Sequence, residues 1–189
     1  MIGMSIPLQI EDDPAAAAGG VIVFFRLEPV AVKIGIMSDS HDHLAAIAKA
    51  VSIFNDAEVS LVLHAGDLVS PFVASALQHL RMGMVAVFGN NDGERIGLAK
   101  AFPDRIFRPP HRVTVEGRAL LLLHEPDLLE NLAGCGDFHA IIYGHTHVPE
   151  IKQGRTLVIN PGECCGYLTG RRTVALWDLE KGRVDLLPC

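Results

Sequence analysis

Two histidines one residue apart, His145 and His147 in "GHTH", follow the apolar run "FHAIIY". A neutral imidazole is a metal ligand or a general acid–base group, whereas a single histidine beside a core strand is ordinarily a satisfied structural residue. The pair gains meaning from what precedes it. Asp39 and His41 stand as D-x-H after "VKIGIM", Asp67 follows a glycine after "VSLVLHA", and "GNND" (Gly89, Asn90, Asn91, Asp92) follows "MVAVF". His124 closes the run "ALLLLH". Alone, each is weak: Asp39 would serve as a helix N-cap, "GD" and "GNND" as turns, and His124 as a core histidine. Taken in order, Asp39, His41, Asp67, Asn90, His124, His145 and His147 form a mixed nitrogen and oxygen donor set. Such a set suits manganese, iron, zinc or nickel better than a thiolate zinc site. Seven donors exceed one tetrahedral ion and suffice for two divalent ions per chain that share a bridging carboxylate. That arrangement clamps a phosphoryl group and activates water near neutral pH.

The elements that must position these residues are legible in the pattern of apolar runs. From Val32 onward, short Val/Ile/Leu-rich runs alternate with segments of helical period: "LAAIAKAVSIFN", "PFVASALQHL" with Pro71 in a first helical turn, and "DGERIGLAKAF". Beyond Pro109 and Pro110, "HRVTVEG" and "RALLLLHE" predict a hairpin around Glu116 and Gly117, and a short helix is expected near 126–132. The tail, "EIKQGRTLVINPG" and "RRTVALWDLEKGRVDLLP", predicts strands with turns at Gly154 and at Lys181–Gly182. Alternating strands and helices imply parallel strands joined by right-handed crossovers, and the β-rich tail implies antiparallel completion. The expected fold class is α/β, a four-layer αββα sandwich of mixed sheets flanked by helices. In open α/β sheets ligands sit at the carboxyl ends of strands, which is where the donors fall.

The chain has 189 residues, 49% of them hydrophobic and 20% charged, with a formal net charge of −6. This is the make-up of one globular domain. The charge argues against an extended nucleic-acid surface, and no apolar run approaches the roughly 20 residues of a membrane span. The four cysteines at 135, 164, 165 and 189 form no CxxC pair, so reduced thiols in the cytoplasm are expected. Residues 1–31 are expected to be a leader or extension lacking a basic secretory n-region, with "VIVFFRLEPVAV" apolar enough for an extra strand. The compact domain is placed at 32–189.

The ordered set D-x-H, GD, GN-x-D/E, a strand-end histidine and GH-x-H resembles the calcineurin-like metallophosphoesterases, in particular their small bacterial and archaeal phosphodiesterase branch. The resemblance covers about residues 33–180 and includes "VINPGE", which is similar to the family's NPG turn. It implies a first metal on Asp39, His41 and His147, a second on Asn90, His124 and His145, and Asp67 bridging. It further implies in-line attack on a phosphate ester by a hydroxide shared between the ions, with manganese expected first and nickel, iron or zinc as alternatives. Homo-oligomers are common in the family.

Departures from the pattern bear on chemistry. Many members carry histidine after the GN asparagine, where it protonates the leaving oxygen. Here Asn91 stands there, so Asn91 and Asp92 are only weak catalytic candidates. The phosphodiesterase branch often has cysteine at that position, and His43 is an alternative acid. Asp42 and Glu125 replace the family's usual glycines and add negative charge near the pocket or point into solvent. Arg95, Arg108 and Arg112 are expected on a solvated surface, Trp177, His64 and His139 in structural roles, and Cys164 and Cys165 near the site mouth. The expected activity is therefore metal-dependent hydrolysis of an unidentified phosphodiester. The alternatives are a phosphomonoesterase, or a non-catalytic scaffold on the same fold, like the small subunit of the retromer coat, which resembles this branch.

Overall fold

A computed structural model of the chain describes residues 9–11, 22–25 and 32–189. Among the described residues thirteen strands and four helices follow one another. They begin with β1 (Gln9–Glu11), β2 (Ile22–Phe25), β3 (Lys33–Met37), α1 (Leu44–Asp56) and β4 (Leu61–His64). Next come a 3-10 turn (Pro71–Val73) running into α2 (Ala74–Leu77), β5 (Gly83–Val87), α3 (Arg95–Ala101) and β6 (Ile106–Phe107). The hairpin β7 (His111–Val115) and β8 (Arg118–Leu122) leads to α4 (Leu129–Cys135) and β9 (Ala140–Ile142). The chain finishes with β10 (Glu150–Lys152), β11 (Leu157–Asn160), β12 (Thr173–Asp178) and β13 (Arg183–Pro188).

These strands form two mixed sheets. One has six strands in the order β13-β12-β3-β4-β5-β6, the other seven in the order β1-β2-β7-β8-β9-β11-β10. Within the first, β3, β4, β5 and β6 run parallel; within the second, β8, β9 and β11 do. The expected hairpin turns at Glu116 and Gly117, both in the left-handed region at φ 47° and 71°, as a two-residue connection between twisted strands requires.

Alternation along each strand explains the layering. Ile34, Ile36, Leu61, Leu63, Val85 and Val87 on one sheet meet Val113, Val115, Leu120, Leu122, Ala140 and Ile142 on the other, and Trp177 is fully buried among them. The opposite faces are apolar too, so the strands read as unbroken hydrophobic runs. Met37, Val62, Met84 and Ala86 pack under α1, whose buried residues Ala46, Ile47, Ala50, Val51 and Phe54 recur at helical spacing. Phe54 lies directly on β3 because Gly35 has no side chain; a Cβ there would come within 2.7 Å of the ring. On the other outer face Leu121, Ile141, Tyr143 and Val158 take Leu129, Leu132 and Ala133 of α4. Helix, sheet, sheet, helix is the expected sandwich.

Two details differ from the sequence expectation, and a third, the extra strand allowed for before Val32, agrees with it. The fourth helix begins at Leu129, three residues later than expected, after Leu128 in a left-handed conformation (φ 59°). The segment from Pro71 opens as a 3-10 turn, with Pro71 in its first turn and the Ser70 hydroxyl accepting from the Phe72 amide; only Ala74–Leu77 is α-helical. The apolar stretch before Val32 contributes β2, which joins the seven-stranded sheet beside β7, with Phe24 opposite Thr114. Residues 1–8, 12–21 and 26–31 of the expected leader lie outside the described residues.

Candidate metal centre

The carboxyl ends of β3, β4 and β5 deliver Asp39, His41, Asp67 and Asn90 from one sheet. Those of β8 and β9 deliver His124, His145 and His147 from the other. Five of these seven, Asp39, His41, Asp67, His145 and His147, have φ between 41° and 67°, a region costly for residues with side chains. The surrounding hydrogen bonds impose it. The amides of Ser40 and His41 both donate to the Asp67 carbonyl at 3.1 Å, and the His145 amide donates to the Asp39 carboxylate at 3.2 Å. Glycines make the convergence possible. A Cβ on Gly144 would collide with Ser38 Oγ and stand 2.9 Å from Asp39 Oδ2; one on Gly66 would meet His124 Nδ1 at 2.6 Å; one on Gly89 would strike the Asp67 carboxylate.

Asp67 sits at the centre. Its Oδ2 lies 3.5 Å from His41 Nε2 and 3.4 Å from His124 Nε2. On the His124 side, Asn90 Oδ1 is 2.8 Å from His124 Nε2 and 2.9 Å from His145 Nδ1. On the His41 side, His147 Nε2 is 3.5 Å from Asp39 Oδ1, and the His41 and His147 rings stack with centroids 5.2 Å apart. Asp39, Asp67 and His124 are buried, as is His147, while Asn90 and His145 are exposed and open the site to solvent.

The tautomers are set from behind. His124 Nδ1–H donates to the Ala65 carbonyl at 2.8 Å, and His147 Nδ1–H donates to Glu163 Oε2 at 2.7 Å. With Nδ1 so engaged, either ring would bind an ion through Nε2, the support that metal-bound histidines usually have. His41 Nε2 is buried without a hydrogen-bond partner. Lone pairs aimed at carboxylate and amide oxygens repel one another unless a proton or cation lies between them. Two donors bound to one ion at about 2.1 Å stand roughly 3–3.4 Å apart, close to the 3.4–3.5 Å separations about Asp67 and Asp39, while the two pairs on Asn90 are shorter. The donor set therefore fits divalent ions.

Electrostatics agree with a site built for positive charge. Burial raises the Asp39 pKa, only partly opposed by Ser38 and the nearby imidazoles. Burial would do the same to Asp67, but hydrogen bonds from His124 and Asn91 outweigh it and hold that carboxyl well below the usual range. His124 is the counterpart: burial would lower it, but Asp67 raises it overall. His64, a structural histidine as expected, is fully buried against Ser40 Oγ at 3.0 Å, and burial keeps it neutral with a pKa of about 3.

The two weak catalytic candidates have supporting contacts. Asn91 donates from its amide to Asp67 Oδ1 (2.8 Å) and from Nδ2 to Asp67 Oδ2 (2.7 Å), so it clamps the central carboxylate. Asp92 is buried with both oxygens taken by backbone amides, Val69 on Oδ1 and Gly89 on Oδ2, each at 2.6 Å. It braces the loops and offers the site no free oxygen. His43 spends Nδ1 on the Ala46 amide at the start of α1, and Asp42 accepts from the Ser70 hydroxyl at 2.8 Å. Arg108, Arg112 and Glu125 are exposed, as expected for the two arginines. Arg95 is exposed too, as expected, and in addition donates to the carbonyls of Asp92 and Gly89, holding the "GNND" loop from outside.

Sequence reasoning noted the likeness of "VINPGE" to the NPG turn and placed Cys164 and Cys165 near the site mouth, but missed the roles of Asn160 and Glu163. Glu163 is fully buried and carries His147; Asn160 Nδ2 donates to the Gly144 carbonyl (3.0 Å) and to Thr146 Oγ1 (2.9 Å), fixing the "GHTH" turn. Cys165 Sγ lies among the His41 and His147 donors, within 4.8 Å. Burial pushes its thiol up to about 12, and Sγ donates to Glu163 Oε2. The signal for Glu163 was its place two residues beyond the "NP" of the turn, at another strand end of the same sheet.

An αββα frame that gathers imidazole, carboxylate and amide donors from the ends of both sheets defines a metallohydrolase-type centre. The chain belongs to the calcineurin-like phosphoesterase superfamily, whose domain model matches residues 32–182, and it is a phosphoric ester hydrolase of that family. It is 43% identical over 157 residues to a phosphodiesterase of Methanocaldococcus jannaschii, covering 79% of this chain and 95% of the relative. Phosphodiesterase YfcE of Escherichia coli is 28% identical over 146 residues, 69% of this chain and 78% of that one. A solved structure described as a novel archaeal phosphodiesterase superposes with a TM-score of 0.78 at 40% identity, over 84% of this chain and all (100%) of the other. Vps29 of Chaetomium thermophilum shares the fold, with a TM-score of 0.62 at 18% identity over 86% and 96% of the two chains.

Proposed function

We propose that this protein is a phosphodiesterase that works with two divalent ions. Asp39, His41 and His147 would hold one and Asn90, His124 and His145 the other, with Asp67 available to both. The observation that carries the reading is Asp67 Oδ2, which stands 3.5 Å from His41 Nε2 and 3.4 Å from His124 Nε2, between two groups of donors. Manganese is assigned as the ion, and the cytoplasm as the compartment, since all four cysteines are free thiols. Among the described residues no helix is long and apolar enough to cross a membrane.

Two such ions, when bound, supply Lewis acidity toward phosphoryl oxygens and make water nucleophilic near neutral pH. The chain's own part is positioning. Asn91 aims Asp67 with two hydrogen bonds, while Glu163 and the Ala65 carbonyl engage Nδ1 of His147 and His124 and leave Nε2 of each for an ion. Asn91 carries no titratable proton near neutrality, so the leaving oxygen takes none from it. That favours diesters with stable leaving anions over monoesters, and the relatives named phosphodiesterases support the same substrate class.

The test is hydrolysis of bis(p-nitrophenyl) phosphate beside p-nitrophenyl phosphate, with metal-stripped protein, with manganese, nickel, zinc or magnesium restored, and with Asp67→Ala. Metal-dependent diester cleavage that falls by about two orders of magnitude or more in the variant is the expected result. Two ions bound per chain with no turnover under any metal would sink the catalytic reading.

A further inference from the structure

The phosphoryl-binding centre has an aromatic neighbour that the reaction itself leaves unused. Tyr167 is 62% exposed, although its ring stacks on His43 with centroids 5.4 Å apart and interplanar angle 28°. Its centroid is also 6.4 Å from that of His41. An exposed tyrosine on a loop ordinarily samples several rotamers, and this one is fixed from beneath. The Glu163 carboxylate that carries His147 also accepts from the Leu168 amide (3.1 Å) and from the Thr169 amide and hydroxyl. One buried anion therefore sets both a ligand-forming histidine and the loop that holds Tyr167. Next to Tyr167, Leu168 is 75% exposed, and Leu44, beside His43, is 41% exposed. This part of the rim offers apolar surface rather than phosphate-binding charge, and Asp42 beside it disfavours further anionic groups.

Resting on the phosphodiesterase reading, we infer that Tyr167 is the specificity wall of the centre, taking a planar aromatic substituent of the diester, an aryl or nucleobase ring, by stacking. The ring's geometry supports it: one face lies on His43 and most of the residue faces solvent beside His41. Aromatic stacking of a flat ligand group contributes about tenfold in affinity in such settings.

The experiment keeps the leaving group constant and varies the other ester group. Methyl, phenyl and thymidine-5′ p-nitrophenyl phosphates are compared in kcat/KM for the metal-loaded wild type, Tyr167→Phe and Tyr167→Ala. The phenyl-to-methyl and thymidine-to-methyl ratios are expected to fall about tenfold in Tyr167→Ala and to survive in Tyr167→Phe. An unchanged ratio in Tyr167→Ala overturns the inference. Binding of phenylphosphonate and methylphosphonate to the same metal-loaded proteins, by calorimetry, reads the wall without turnover. A phenyl preference lost in Tyr167→Ala supports the wall even if no ester is cleaved, in which case only the phosphodiesterase reading fails. Equal affinity of the two phosphonates for the wild type overturns the wall whatever the rates.

Discussion

Glu163 shows how much of this centre depends on a residue that would bind no ion. Its carboxylate is held down near a pKa of about 2: burial would raise it, but hydrogen bonds from His147, Thr169 and Leu168 prevail. It is thus an anion wherever the protein is folded near neutrality, and it keeps His147 Nε2 free to ligate. Glu163→Ala is expected to weaken metal binding at the His41/His147 side by about 10- to 100-fold, in line with the loss of other supporting partners of metal-bound histidines. Calorimetric titration with manganese would read this as one weakened and one unaltered event. Two equally weakened events would mean that Glu163 acts on the whole centre through the fold. The seven candidate donors that the fold brings together were legible because each is a chemically unusual residue at the end of an apolar run. Glu163, Asn160 and Arg95 were not, since their roles depend on which loop the fold brings opposite them, and nothing in "NPGE" or "GERIG" encodes that partner.

Elements were easier to read than their edges. Continuous apolar runs located β3, β4 and β5, which are buried on both faces, helical period located α1, and alternation about Glu116 and Gly117 located the β7–β8 hairpin. By contrast β6 is only Ile106–Phe107, too short to show any period, and the start of α4 is set by the left-handed turn at Leu128 rather than by its own sequence. The first strand of the hairpin also carries a titration that belongs to the element. His111, at the head of β7, is buried, with its ring stacked on Phe107 at 3.9 Å, and burial lowers its pKa to about 4 from an ordinary 6.5. As pH falls, the unfolded chain takes up this proton first. The stability it allows is complete above about pH 6.5 and is lost on descent toward pH 4. His111→Phe keeps the stack and removes the titration. Denaturant unfolding at pH 7 and pH 5 should show the wild type losing about 1–2 kcal/mol more than the variant over that interval. Parallel losses in both proteins would show that His111 takes up its proton equally in the folded and unfolded states, so that burial does not shift its titration.

At the scale of the whole molecule, the centre is the place where the two sheets meet polar group to polar group. Elsewhere their contact is the apolar layer around Trp177. Asp39, His41, Asp67 and Asn90 come from the six-stranded sheet, and His124, His145 and His147 from the seven-stranded one. A frame that holds buried Asp39 and Asp67 side by side, and five of seven donors in left-handed backbone conformations, gives up stability for geometry. Cations shared between the sheets would return it, because ligands from both must stay together to bind. At a free ion concentration about a hundredfold above Kd, each bound ion adds about 2.7 kcal/mol to the folded state. For a chain of this size that corresponds to a rise in Tm of roughly 5–10 °C per ion. Differential scanning calorimetry of metal-stripped and manganese-loaded protein should therefore show a large upward shift for the wild type. Asp67→Ala, which removes the one carboxylate both sides share, should lose most of it. If the metal-stripped protein melts as high as the loaded one, the ions contribute nothing to holding the sheets together, and the apolar layer alone sets their alignment.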